Sequence, residues 1–380
     1  MNSIDVIIIG TSHHNTLSMV RAIGVMGISP TVLLYNCQKS FVAKSKYIKK
    51  IIYSDSSEEV ISYLKGIRQD KERKPVIISC TDEIAHQLDI HQSELLPYLD
   101  FFHTTVPGAL TQYMDKQKQT ELAESVGFCI PWSATYNENF NKESMVFPCI
   151  IKPVASINGG KHIRICHTRE EFSKYIEEFD AVDTLVQGLV PKEKEIVILG
   201  LTIDGESYLP AYIEKYREIS GGTTYSKVCP ISTIPSNIQE ACVRMVSHIG
   251  YEGLWGIECI VNDKGYYFLE LNLRNDATTY AVSVAGINLP YKYIAKKTGS
   301  STVLCDEATI TELCSMVEHN DLIYVLKHHI GLFRWWKEFR HSKCRYIMCK
   351  SDQKPFYFLL KSFVGLGLKK CARKLGLCKK

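Results

Sequence analysis

No apolar run in the 380 residues approaches the roughly 20 that span a bilayer, which argues against an integral helical membrane protein. Met1-Asn2-Ser3 leads straight into Ile4-Asp5-Val6-Ile7-Ile8-Ile9, with no basic region and no small-residue cleavage site, so no secretory signal is expected. Fourteen cysteines are present, yet none forms a CxxC pair or joins a tight Cys/His cluster. Neither structural zinc nor a disulfide framework is indicated, and reduced thiols in a cytoplasmic protein are expected. Internal repeats and low-complexity tracts are absent too. The first strand ends in Gly10-Thr11-Ser12-His13-His14, which is not GxGxxG, so a dinucleotide site is poorly supported.

What is present is ordinary in bulk: 45% apolar and 23% charged residues, enough for a sizeable core. The net charge of +4 is unevenly spread. From Asp321 to Lys380 there are 15 Lys/Arg against 3 Asp/Glu, leaving a mildly acidic body with a basic tail. The basic excess is confined to that tail and no reader motif accompanies it, so nucleic acid is not an expected partner.

Short apolar runs at Asp5–Gly10, Thr31–Tyr35 and Pro75–Ser79 read as buried parallel strands, with helical spacing between the first two at Leu17, Val20, Ile23 and Val25. This predicts an open α/β sheet in a first domain, 1–110. His13 and His14 sit at a strand's carboxyl end, where ligands often bind, but plain loop residues are the favoured reading. From Asp115 the pattern changes. A helix Lys116–Val126 ends at Gly127, and a loop with Pro131 leads to the strand Met145–Pro153. Strands at His162–Cys166, Thr184–Val190 and Glu195–Leu201 give an α+β domain, 111–305. The remaining 306–380 reads as a short helical, basic appendix.

The most specific segment is Gly256–Arg274, in which two β-prone runs flank Asn262-Asp263-Lys264-Gly265, a hairpin turn. Folding about Lys264 brings Glu258 across from Glu270, and period-two alternation puts Glu270, Asn272 and Arg274 on one face. Carboxylates placed opposite each other repel, so a cation should offset them. Mg²⁺ prefers such hard oxygens and is usually shared with nucleotide phosphates. Lys152 ends a buried strand before Pro153, an unusual place for an unpartnered cation. The Gly159-Gly160 pair that follows could let amides approach phosphate, though an ordinary turn reads equally well. Lys116 alone would be taken as solvated.

Together these residues resemble the ATP-grasp superfamily over about residues 1–300: a Rossmann-like pre-ATP-grasp domain, then the nucleotide-clamping domain. The resemblance implies ATP and Mg²⁺ as cofactors, with Mn²⁺ able to replace Mg²⁺. Asp115-Lys116 is similar to the first phosphate-binding lysine with its helix, and Ile150-Ile151-Lys152-Pro153 to the second. Ser156, Gly159 and Gly160 belong to the stretch resembling the mobile phosphate loop. Gln187, Gly188, Leu189 and Val190 resemble the linker whose backbone binds adenine, with Gly188 standing where Glu is frequent. Glu195 matches a ribose-binding position. Glu258, Glu270 and Asn272 match the metal ligands, and Arg274 the arginine near the transferred phosphate.

Ala43–Tyr47, Cys80-Thr81-Asp82-Glu83, Asn272–Ala277 and Ala285–Leu289 look like the D-aspartate-ligase-like group of carboxylate–amine ligases, within a family that also includes carbamoyl-phosphate-synthase-like enzymes. Arg217 with Ser220–Thr224 is similar to that group's substrate-side loop, and a bidentate hold on a carboxylate or acyl phosphate is the expected role; a surface loop arginine is the alternative. The resemblance implies an ATP-dependent ligase that forms an amide through an acyl phosphate from a small-molecule carboxylate and an amine. The alternative is a non-catalytic nucleotide-binding or scaffolding homologue. The basic, aromatic-rich tail suggests peripheral contact with the inner membrane face, and with it a cell-envelope or surface-polysaccharide precursor as substrate. The blander reading of the tail is a helix packed on the body.

Overall fold

The computed structural model describes residues 5–67, 74–153, 163–179, 184–219, 221–300, 309–328 and 330–363. Ser156, Gly159, Gly160 and Lys161, Ser220, and the basic residues from 364 onward lie outside them. The expectations for the phosphate loop and the extreme tail therefore rest on sequence alone.

The N-terminal strands β1 (Val6–Gly10), β2 (Thr31–Tyr35), β3 (Lys50–Ser54) and β4 (Val76–Ser79) form a parallel sheet in the order β3-β2-β1-β4. Their continuous apolar runs have a direct explanation. Val6, Ile8, Val32 and Leu34 enter one core while Ile7, Ile9, Leu33 and Tyr35 enter another, so both faces of the sheet are covered. The helix His14–Gly24 follows β1, and Leu17, Val20 and Ile23 are fully buried. Val25 departs from its expected place in that stripe: it is the C-cap residue and 60% exposed.

After the two-residue strand β5 (His103–Thr104), the helix Lys116–Val126 is set by its ends. Asp115 accepts from the Gln117 and Lys118 amides, and Gly127 closes the helix in the left-handed region at φ 106°. A small antiparallel sheet runs β6-β9-β7-β8, built from β6 (Ser133–Thr135), β7 (Cys149–Pro153), β8 (Arg164–Cys166) and β9 (Thr184–Gly188).

The large sheet contains β10 (Lys194–Ile203), β11 (Glu206–Ile219), β12 (Gly222–Pro230), β13 (Tyr251–Asn262), β14 (Gly265–Asn272), β15 (Leu313–Met316) and β16 (Cys344–Arg345). Its order is β14-β13-β10-β11-β12-β15-β16, with β5 paired to β13.

The C-terminal region is not a helical appendix. β15 pairs antiparallel with β12, so the main sheet continues past residue 305. Beyond it, Asp352 forms a fully buried ion pair with Arg21 of the N-terminal helix, at 2.9 Å. Arg21 also donates to the Tyr346, Ile347 and Asp352 carbonyls, while Asp352 accepts from Ser45 Oγ and the Lys46 amide. The chain's third part thus staples the first two. Among the described residues no helix is long and apolar enough to cross a membrane, and the cysteines are free thiols.

Candidate active site

The β13–β14 hairpin pairs Glu258 with Glu270, and Gly256 with Asn272. The route to that register differs from a simple fold about Lys264. The turn is tight, with Asn262 opposite Gly265, and continued regularly it would set Glu258 against Leu269. A β-bulge between Cys259 and Glu258 adds one residue to β14, and only then do the two carboxylates face each other.

Glu258, Glu270, Asn272 and Arg274 all line one cavity of about 360 Å³. Glu258, Glu270 and Asn272 each have a cationic neighbour. Lys215 on β11 donates to Glu258 at 2.6 Å and to Glu195 at 2.9 Å. Lys116 lies 3.6 Å from Glu270, and Arg274 donates to Asn272 Oδ1 at 3.0 Å. Arg274 is itself held by Asp82, 2.7 Å away. Burial works against the Arg274 charge, but Asp82 outweighs it and keeps the guanidinium firmly protonated.

Burial pushes the Glu258 carboxyl up to about 7 against the pull of Lys215, with Asp276 and Glu270 adding to the rise. Lys215 shows the opposite balance: burial opposes its charge, and Glu258 and Glu195 overcome it. A lysine between two carboxylates keeps its proton, so the ammonium is the fixed charge here and Glu258 the adjustable one.

Lys152, from the small sheet, meets this group from the other side. Its Nζ donates to Gln187 Oε1 at 2.9 Å. Burial and the neighbouring Lys116 ammonium lower its pKa to about 8, with Glu270 partly offsetting them. Lys116, Lys152 and Glu270 therefore share one electrostatic neighbourhood, although they come from a helix and two different sheets. If Lys152 holds a nucleotide phosphate, ATP affinity should fall as pH rises through about 8 and the ammonium loses its proton. Lys152→Arg, which stays charged, should remove the fall, as nucleotide binding measured between about pH 7 and pH 9.5 would show. An unchanged pH profile in the variant would exclude Lys152 from phosphate binding.

One expectation needs correction, and two others gain constraints. Arg217 does not face the cavity as a substrate group. Its guanidinium forks onto both oxygens of Asp321, each at 2.8 Å, and reaches Glu338 at 2.7 Å, so its donors are spent on the C-terminal helices Glu318–Lys327 and Leu332–His341. Arg217→Ala is accordingly expected to cost about 3 kcal/mol of stability, by stranding buried Asp321, without a selective loss of kcat. Urea denaturation beside steady-state kinetics checks this. The linker from Gln187 to Val190 is also more committed than expected. Gly188 N–H donates to Trp132 O at 2.7 Å and Leu189 N–H to Pro148 O at 2.8 Å, so these two amides are not free to bind a base. Glu195 is buried between Lys192, at 2.7 Å, and Lys215, so both its oxygens hold lysines rather than standing open to ribose hydroxyls.

Other cavity residues were noted in the sequence without a site role, the two histidines being read as plain loop residues. His13 and His14 follow β1 and Asp82 follows β4, at the adjacent carboxyl ends of neighbouring parallel strands, and all three line the cavity. His13 also caps the helix by accepting from the Asn15 amide. Burial, with His13 and His319 nearby, holds His14 well below its usual pKa and hence neutral. Lys215 carries no such local mark, because Glu214 separates it from the largely apolar run Leu209–Ile213.

The geometry fits a hard divalent cation. The donor set is two carboxylates and one carboxamide oxygen on a single hairpin. No group of three His, Cys, Asp or Glu side chains among the described residues could hold a metal unaided.

Residues 113–278 match the family model described as an ATP-grasp domain. The carbamoyl phosphate synthase large chain of Clostridium beijerinckii is 27% identical over 188 residues, which is 46% of this chain but only 17% of that protein. Among solved structures, N5-carboxyaminoimidazole synthetase from Staphylococcus aureus superposes with a TM-score of 0.65 at 13% identity, covering 86% of this chain and 85% of that one. Biotin carboxylase from Campylobacter jejuni gives 0.63 at 15% identity, covering 82% and 74%. The ATP-grasp match thus covers just under half of the chain, within a fold shared with these solved structures over most of its length. Within that class its sequence is similar to the carbamoyl phosphate synthase large chains, of whose length it spans less than a fifth.

Proposed function

We propose that the chain is an ATP-dependent carboxylate–amine ligase working through an acyl phosphate. The observation that carries this reading is the meeting of Glu258, Glu270, Asn272 and Arg274 on the large sheet with Lys116 and Lys152 from outside it. Phosphoryl transfer asks a protein mainly to position reactants and neutralise charge, and this set is built from such groups.

In the first step a substrate carboxylate oxygen attacks the γ-phosphorus of ATP, the bond to the β-phosphate oxygen breaks, and ADP leaves. In the second an amine nitrogen attacks the acyl carbon, the C–O bond to phosphate breaks, and the amine gives up a proton as the amide forms. Lys116 and Lys152 hold phosphate oxygens, and Arg274, fixed by Asp82, steadies the charge on the group in flight. Glu258, Glu270 and Asn272 would hold Mg²⁺, or Mn²⁺ in its place, which when bound supplies charge neutralisation at the phosphates. Lys215 orients Glu258.

The test is ADP and phosphate release from ATP on adding paired carboxylates and amines. Bicarbonate with ammonia belongs in the panel because the curated relatives are named for carbamoyl phosphate. Tight ATP binding with no turnover across the panel would favour the scaffolding alternative. A cell-envelope acceptor drew its support from the terminal basic stretch, which lies outside the described residues, so envelope-type carboxylates enter the panel as one class among several.

A further inference from the structure

The helix Leu332–His341 divides its side chains sharply. Trp335 and Phe339 face inward: their rings stack 5.4 Å apart, and Trp335 Nε1 donates to the buried Asp321 carboxylate. Phe333 and Trp336 are 84% and 51% exposed, although one side of the Trp336 ring also stacks on Phe339 at 5.4 Å. With Lys337 and Arg340, both exposed, they fall at spacings of three, four and seven residues, which is one face of a helix.

Glu338 is the only acidic residue between 326 and 343, and it is turned inward onto Arg217 and Arg334. The exposed charges of this stretch, Lys327, Arg334, Lys337, Arg340 and Lys343, are therefore all of one sign. We propose that this helix is a docking surface for an anionic lipid bilayer, with Phe333 and Trp336 entering the headgroup boundary between the basic side chains. Two features favour lipid over a protein partner. Phe333 protrudes almost fully into solvent instead of lining a groove, and the one acid that would repel headgroups is withdrawn into the fold. Aromatic rings with flanking cations are what an interfacial helix presents to a membrane. The inference does not depend on the ligase reading.

The test is flotation of the full chain with vesicles of phosphatidylcholine alone or mixed with phosphatidylglycerol. The chain is expected to float only with the mixed vesicles, and less as salt is raised. Lys337→Ser with Arg340→Ser should weaken binding on the order of twentyfold, at about fivefold per basic residue. Phe333→Ser with Trp336→Ser should abolish most of it while leaving the thermal unfolding midpoint close to that of the parent chain. Absence of flotation by the parent chain overturns the proposal. So does equal flotation of the Phe333/Trp336 variant, which would assign binding to another part of the chain. Self-association without vesicles that depends on Phe333 and Trp336, together with no vesicle binding, would make the face an interface between copies and likewise overturn it.

Discussion

Replacing Glu270 with Gln is expected to lower kcat by on the order of 10³-fold or more while the protein stays folded. That loss corresponds to about 4 kcal/mol of transition-state stabilisation. The change keeps the shape of the side chain but removes the charge that would pair with a divalent ion. Folding should survive because Glu270 is partly exposed and its one ion-pair partner, Lys116, is 3.6 Å away on the surface. An exposed pair of that kind contributes at most about 1 kcal/mol. Turnover and Mg²⁺ dependence measured together, with circular dichroism to confirm the fold, decide the matter. Full activity in the variant would remove the proposed metal site, and with it the main support for the ligase reading.

The largest effect on stability is expected at Arg21, far from that carboxylate. Arg21→Met removes a guanidinium whose side chain has no solvent exposure and leaves the equally buried Asp352 without its cation, held only by Ser45 Oγ and the Lys46 amide. Three main-chain carbonyls, of Tyr346, Ile347 and Asp352, lose their donor at the same time. Breaking one side of a buried pair typically costs about 3–5 kcal/mol. The missing bonds tie the segment around residue 350 to the N-terminal helix, so the loss should appear both in urea denaturation and as early proteolysis of the C-terminal segment. A midpoint unchanged from the parent chain would show that packing alone holds that segment.

Strands β1, β2 and β4 were legible because their apolar runs are short and continuous, as burial on both faces requires, whereas β3, with most of its residues partly exposed, was not anticipated. The helix Lys116–Val126 was legible to the residue, since an aspartate cap and a glycine stop are local chemistry. The Glu258–Glu270 pairing was also foreseen, but by a simpler path than the chain takes. A bulge in β14 makes up for a two-residue turn, and nothing in Tyr267–Glu270 announces it.

Arg217 shows where local reading runs out. Beside a glycine-rich loop it looks like a substrate group, yet its partners lie 104 and 121 residues further on. Only the three-dimensional path of the C-terminal helices reveals that its charge is spent. Lys215 was missed for the same reason, since the carboxylates that give it meaning sit on the neighbouring strand and one beyond.

The seam between β12 and β15 limits how the protein can be dissected. Cutting the chain after the ATP-grasp match, at residue 278, or after the helix Leu289–Lys297 would strip the cover from β12. The edge at Tyr225–Val228 would then turn unpaired amides and carbonyls to solvent, the kind of edge that recruits foreign strands. An excised ATP-grasp segment should therefore clump even though every residue proposed to touch nucleotide is retained, and solubility would return only when the segment carrying β15 is restored.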